Sequence, residues 1–189
     1  MAPRQYENAR AKILDAAVRV ITRDGVSRLS VDLVAAEAGI SKGGFFYHFK
    51  TKVSLLGAVV EYLHDEVGRT IAEHAGDGDW LRRYVEWGVL AEGADADRMS
   101  ALLRVLLLAA DDNPAILDGA RAANTRTIGA ALAQGADAGT ALVVQLTLDG
   151  LWLNQALGTL TLDRAERLSI RDSLFRLIDS TPSTKDTQR

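Results

Sequence analysis

The sequence predicts an all-α chain in two parts, an N-terminal helix-turn-helix domain and a larger helical domain, and three observations carry that prediction. Apolar residues recur at helical spacing along the whole chain, and no stretch alternates apolar with polar residues in a β-branched run. Only 3 prolines interrupt 189 residues, so long helices are unbroken. Near residue 40, two short amphipathic segments meet at a glycine-containing turn of about three residues, the sequence form of a helix-turn-helix. A chain of this length buries roughly 70% of its unfolded surface, enough to hold together without disulfides or a structural metal.

Nine helices follow in order. The first is expected over residues 8–24, with Ile13, Leu14, Ala17 and Ile21 on one face and Gly25 as its stop. Ser30 caps a short second helix that ends at Ala38-Gly39, and Ser41 caps a third over residues 42–47. Thr51 caps the fourth, whose buried stripe is Leu56, Val60, Leu63, Val67 and Ile71; the four turn-formers at 76–79 end it. Asp79 caps a fifth helix over 80–91, residues 92–97 read as a loop, and a sixth helix covers 98–110. Asn113-Pro114 opens the seventh, which runs to about residue 133 before a loop at 134–139. The eighth, 140–157, is apolar almost all round and so is buried on more than one side; Gly158 ends it. The ninth, 163–179, opens with Asp163 and Glu166 in capping-box spacing and carries the stripe Ile170, Leu174, Leu177 and Ile178. The polar tail 181–189 has no apolar anchor and is expected to be disordered.

Composition and charge narrow the function. The chain is 48% hydrophobic and 25% charged, values of an ordinary globular protein. It has 0 cysteines, which excludes a disulfide scaffold, a thiolate metal site and a cysteine nucleophile. The longest nearly apolar run, residues 101–110, contains Arg104 and falls far short of the ~20 residues a membrane helix needs. Residues 1–12 are polar and lack the apolar segment of a signal peptide, so a cytoplasmic protein is expected, with no membrane partner. The net charge of −3 hides an asymmetry: residues 1–52 hold nine basic against five acidic side chains, and the remainder thirteen against twenty. A basic end on an acidic body is the asymmetry expected when one end meets a polyanion, the bland alternative being ordinary charge scatter. Enzyme signatures are missing, and the expectation is no enzyme, no cofactor and no metal. His64 and His74 are ten residues apart, about 15 Å along a helix, too far to share a metal, and no H-E-x-x-H, G-x-S-x-G or phosphate-cradling glycine loop occurs.

The informative segment is residues 29–56, LSVDLVAAEAGISKGGFFYHFKTKVSLL. Val31, Val34, Ala35 and Ala38 give the first of its helices a small apolar face that permits a close crossing, and Gly39 permits the turn. Lys42, Gly43 and Gly44 open the second, where a recognition helix meets base edges. Phe45 and Phe49 share an inward face, while Phe46, Tyr47, His48, Lys50 and Lys52 gather aromatic, hydroxyl, imidazole and ammonium groups suited to a phosphate backbone. The motifs Ala38-Gly39-Ile40-Ser41 and Phe46-Tyr47-His48-Phe49 with Lys52, preceded by Asp24-Gly25 and Leu29-Ser30-Val31, resemble the DNA-binding domain of the tetracycline-repressor (TetR) family over about residues 9–58. The rest is similar to the family only in plan. The resemblance implies a helix-turn-helix domain over 1–52, a ligand-binding and dimerisation domain over 53–180, and a DNA-contacting set of Ser30, Ser41, Lys42, Gly43, Gly44, Phe46, Tyr47, His48 and Lys52. It puts Phe45 in the core. Two positions depart from the family's habit: Asp32 stands where a basic or polar contact residue is common, and would accept from a cytosine amino group or cap its helix, and Phe46 lacks the hydroxyl of the commoner tyrosine.

In the C-terminal part, Trp80, Tyr84 and Trp87 share one face of the fifth helix, and Gln145, Asp149 and Trp152 one face of the eighth. With Met99, Leu103 and Asn124 they form the expected effector site, the bland alternative being an aromatic core stripe. Asp149 is the sharpest of them, because a carboxylate in an apolar helix is costly unless paired; Arg121, Arg126, a partner subunit or a cationic ligand would serve. The expected function is a sequence-specific transcriptional repressor. It would bind a palindromic operator as a homodimer built through the last two helices, with Leu174 and Leu177 facing the partner, and a small-molecule effector would release it. The alternatives are an activator or effector-less regulator of the same fold and, more remotely, a helical-bundle enzyme.

Overall fold

The computed structural model describes residues 3–73, 80–109, 114 and 116–181, with side chains from residue 9 onward except those of 109 and of the undescribed positions. Among the described residues it contains nine α-helices, one short 3-10 turn and no strand. The helices are α1 (Pro3–Asp24), α2 (Val31–Ala38), α3 (Lys42–His48), α4 (Lys52–Glu73), α5 (Trp80–Leu90), α6 (Ala94–Ala109), α7 (Ile116–Ala133), α8 (Ala138–Leu157) and α9 (Arg164–Ser180); the 3-10 turn is Val26–Arg28. The all-α expectation and the helix count hold. The expected stop at 76–79, the caps at Asp79 and Asn113, and all of the tail beyond Thr181 lie outside the described residues.

The chain divides into two compact units, residues 1–64 with 97–121, and residues 65–96 with 122–189. In the first, Ile13, Leu14, Ala17 and Ile21 of α1 are fully or almost fully buried, as their spacing predicts. Val34 and Ala35 of α2, Phe45 and Phe49 at α3, and Leu55, Leu56, Val59, Val60 and Leu63 of α4 complete the core around them. The caps follow the sequence: Ser30 Oγ accepts from the Leu33 N–H at 3.3 Å and Ser41 Oγ from the Gly44 N–H at 3.1 Å. At α4, Thr51 Oγ1 accepts from the Ser54 N–H while Ser54 Oγ accepts from the Thr51 N–H, a reciprocal cap. Gly39 closes α2 at φ 67°, a left-handed conformation that glycine alone adopts without strain, and this sets the direction of α3.

In the second unit α5 packs on α8 and α9. Its core is Leu81, Tyr84, Val85, Trp87 and Val89 against Val144, Leu148, Leu151, Trp152 and Leu174. Gly88 is required by this packing: a Cβ there would sit 2.8 Å from Leu148 Cδ1 and 2.9 Å from Trp152 Cζ2. The capping box of α9 is present, Asp163 and Glu166 each accepting from the other's N–H at 2.8 Å.

Three sequence expectations need correction. Residues 94–97 are helical rather than loop: Gly93, at φ 59°, makes the turn, and Asp95 and Asp97 fall in the first turn of α6, where the helix dipole favours carboxylates. Helix α8 starts two residues early because Asp137 caps it through the Thr140 N–H at 2.9 Å. Leu174 does not face outward; at 6% exposure it packs within its own unit, whereas four large apolar side chains of α8, Leu142, Val143, Leu146 and Leu157, are exposed.

Candidate functional site

The short helix α3 is held from below by two aromatic rings. Phe45 is fully buried and Phe49 is 3% exposed, their centroids 6.0 Å apart, and Phe46 meets Phe45 edge-on at 5.6 Å. With that face fixed, Lys42, Gly43, Phe46 and Tyr47 are exposed and Gly44 and His48 half-buried, His48 lying edge-on to Tyr47 at 5.1 Å. An added Cβ at Gly43 or Gly44 would make only ordinary contacts, with the Ser41 hydroxyl and the Ile40 side chain, so nothing inside the chain requires glycine at either position.

Asp32 is not the cap of α2, since Ser30 fills that role; its carboxylate pairs with Lys42 Nζ at 2.7 Å, both groups in solvent. Lys52 Nζ donates to the Val26 carbonyl at 3.3 Å, which fixes the ammonium beside the 3-10 turn and leaves it further donors. On the opposite side of α2, Glu37 takes hydrogen bonds from Arg19 at 2.8 Å and Arg23 at 3.0 Å, bracing α1 against α2. These arginines hold the Glu37 carboxyl below its usual range, Arg19 contributing most.

The second unit gathers six of the expected effector residues. Trp80 stacks on Tyr84 at 4.9 Å, and Trp152 lies edge-on to Tyr84 at 6.1 Å and to Trp87 at 5.4 Å. Trp152 Nε1 donates to the Gly88 carbonyl at 2.8 Å. The buried Tyr84 hydroxyl donates to Gln145 Oε1 at 3.1 Å, and Gln145 Nε2 donates to both carboxylate oxygens of Asp149 at 3.0 and 3.1 Å. Arg126 pairs with Asp65 and Arg121 with Asp118, and no cation pairs with Asp149 among the described residues. Burial pushes the Asp149 carboxyl above its usual range, against the lowering effect of Gln145, and burial together with the Asp149 charge pushes the Tyr84 hydroxyl up. Met99 and Leu103 belong to the first unit, and Asn124 is exposed on α7.

Sequence reasoning overlooked Arg83 and Gly88 on α5. The signal for Gly88 was available, because a glycine inside a helical pattern marks a close packing contact. Among the described residues no group of histidine and acidic side chains could hold a metal, and no helix is long and apolar enough to cross a membrane.

Two family profiles match the chain: "Bacterial regulatory proteins, tetR family" over residues 13–59 and "Tetracyclin repressor-like, C-terminal domain" over residues 78–179. The chain belongs to the TetR family. It is thus a DNA-binding helix-turn-helix regulator of transcription. Among curated relatives of this TetR-family chain, the HTH-type transcriptional regulator AcrR of Shigella flexneri is 27% identical over 106 residues, covering 54% of this chain and 49% of AcrR. SrpR of Pseudomonas putida is 39% identical over 56 residues, 30% of this chain and 26% of SrpR. The match thus spans about half or less of those relatives. Solved structures extend it: the multidrug binding protein EbrR complexed with ethidium has a TM-score of 0.71 at 30% identity, covering 90% of this chain and 98% of EbrR. A TetR-family member from Streptomyces coelicolor has a TM-score of 0.72 at 30% identity, with 90% and 98% covered.

Proposed function

We propose that the chain is a cytoplasmic homodimeric repressor that binds a palindromic operator and is released by an aromatic cationic effector. The observation that carries the DNA half is the exposed face of α3. Phe45 and Phe49 lock the helix, so Lys42, Gly43, Gly44 and Phe46 meet the major groove while Tyr47, His48 and Lys52 meet phosphates, with Ser30 and Ser41 presenting their helix starts. The glycines have no internal reason to be glycine, which supports close approach of an outside surface. On binding, Lys42 exchanges Asp32 for DNA.

The dimer half is supported by α8. Leu142, Val143 and Leu146 in its N-terminal half and Leu157 at its end are 50%, 47%, 68% and 57% exposed, apolar side chains that a second copy would cover. The effector half rests on Asp149, a part-buried carboxylate linked through Gln145 to Tyr84 of the aromatic cluster and without a cationic partner among the described residues, and it draws support from the ethidium bound by EbrR. Trp80, Tyr84, Gln145 and Trp152 would complete that site around it.

A mobility-shift titration on the DNA upstream of its own gene, with and without ethidium, tests the reading. Ethidium should raise the apparent Kd at least tenfold. Because free ethidium also intercalates, the control is Asp149→Asn, which should blunt release while leaving operator affinity intact. Lys52→Ala should weaken binding to all sequences alike and lower the log K against log salt slope by about 1. An unchanged slope would remove the phosphate role from Lys52.

A further inference from the structure

We infer that a second ligand subsite, for an aromatic carboxylate, lies in the cleft where α5 turns into α6. This inference is independent of the Asp149 reading. The cleft holds about 390 Å³ and is lined by Arg83, Glu86, Trp87, Leu90, Ala91, Glu92 and Asp95. That volume is within the range of small-molecule sites.

Two buried donors on its wall have no acceptor. Trp87 is 7% exposed, and its indole Nε1–H makes no hydrogen bond; neither does the buried Nε–H of Arg83. An unsatisfied buried donor is costly, and native proteins keep few of them. Here two occur four residues apart on α5, one helical turn, and so on one face. The contrast with Trp152 is informative: its indole N–H, 5.4 Å away ring to ring, is satisfied by the Gly88 carbonyl, so the shortage is confined to the side of the cluster that lines the cleft.

The charges favour an anion at these donors. The Arg83 guanidinium has no ion pair among the described residues. Two of the three carboxylates on the rim face cations elsewhere: Glu86 is 3.5 Å from Arg171 and Glu92 is 3.4 Å from Arg164. Arg83 is thus a wall cation without an ion pair, and a carboxylate is the group that satisfies a guanidinium and a neighbouring N–H together through charge-assisted bonds. Trp87, Leu90 and Ala91 supply the apolar bed for an aromatic body.

The test is isothermal titration of the full chain with 2-naphthoate, and with 2-naphthylmethanol as the neutral analogue. Saturable binding of 2-naphthoate is expected, at least tenfold tighter than the alcohol. Arg83→Met should weaken it at least tenfold and Trp87→Phe about fivefold, while Asp149→Asn leaves it unchanged. Should Arg83→Met fail to fold, Trp87→Phe and the alcohol comparison still decide. No saturable heat with 2-naphthoate, or equal affinity in wild type and Trp87→Phe, overturns the subsite. Loss in Asp149→Asn alone would overturn it too, and would transfer the ligand to the other site. Ethidium binding is read separately, so failure here leaves the operator and effector reading standing.

Discussion

Gly88 is the clearest case of a residue defined by what surrounds it. Alanine there gains about 0.5–1 kcal/mol of helix propensity but drives a methyl into Leu148 and into a Trp152 ring that is itself tied to the Gly88 carbonyl. Overpacking of this kind costs about 1–3 kcal/mol, so the net effect is a loss. At roughly 2–4 °C per kcal/mol for a chain of this size, thermal unfolding should show Gly88→Ala melting about 2–6 °C below wild type. Asp149 is the opposite case, a group whose surroundings disfavour it. Its folded carboxyl titrates above its ordinary value because of burial. The folded chain therefore holds that proton more tightly than the unfolded chain, and stability falls as pH rises from the ordinary carboxylate range to Asp149's own raised value. Asparagine removes the penalty and can still accept from Gln145. The melting temperature of Asp149→Asn should exceed wild type at pH 8, and the gap should close as the pH approaches 4. A gap that ignores pH would mean that the carboxylate is not the cause.

At the scale of elements, the sequence was most legible where local chemistry decides the structure. Ser30, Ser41, Thr51 and the Asp163–Glu166 pair each cap the helix their spacing announced, because a cap is made by residues within four positions of one another. The helix-turn-helix was readable for the same reason: its turn, its two inward phenylalanines and its outward polar set all lie within about twenty residues. Burial against distant elements was less legible. Leu174 and Leu146 look alike on their helices, yet Leu174 packs inside its unit at 6% exposure and Leu146 stands 68% exposed. Periodicity marks an apolar face without saying whether the same chain or another covers it. The orphan donors of Arg83 and Trp87 become visible only once their neighbours are in place. The distinction between the two leucines makes a prediction. Leu146→Asp should leave the fold intact, because the side chain touches little of its own chain, and should abolish the dimer and operator binding with it. Leu174→Asp should instead unfold the chain. Analytical ultracentrifugation and circular dichroism of the two variants separate these outcomes; a dimeric Leu146→Asp would move the interface off α8.

For the whole molecule the question is how two ligands on one chain affect each other. The charge is already partitioned: a basic N-terminal quarter carries the helix-turn-helix, and the acidic remainder carries the aromatic cluster and Asp149. On the proposed reading a polyanion and an aromatic cation bind different residues, and an effect of one on the other passes through the chain's conformational equilibrium. Such coupling is reciprocal. If saturating ethidium raises the operator Kd by some factor, saturating operator must raise the ethidium Kd by the same factor, because both describe one thermodynamic cycle. A typical coupling of about 1–3 kcal/mol corresponds to 5–150-fold, well inside what can be measured. The operator side is read by mobility shift. The ethidium side is read by titrating the fluorescence of Trp80, Trp87 and Trp152 with a short operator duplex present, after subtracting the signal of the duplex with ethidium alone. Equal factors would establish that ethidium acts on the protein's own equilibrium. Release of operator with no matching loss of ethidium affinity would show that ethidium acts on the DNA, and would remove the effector role from the aromatic cluster.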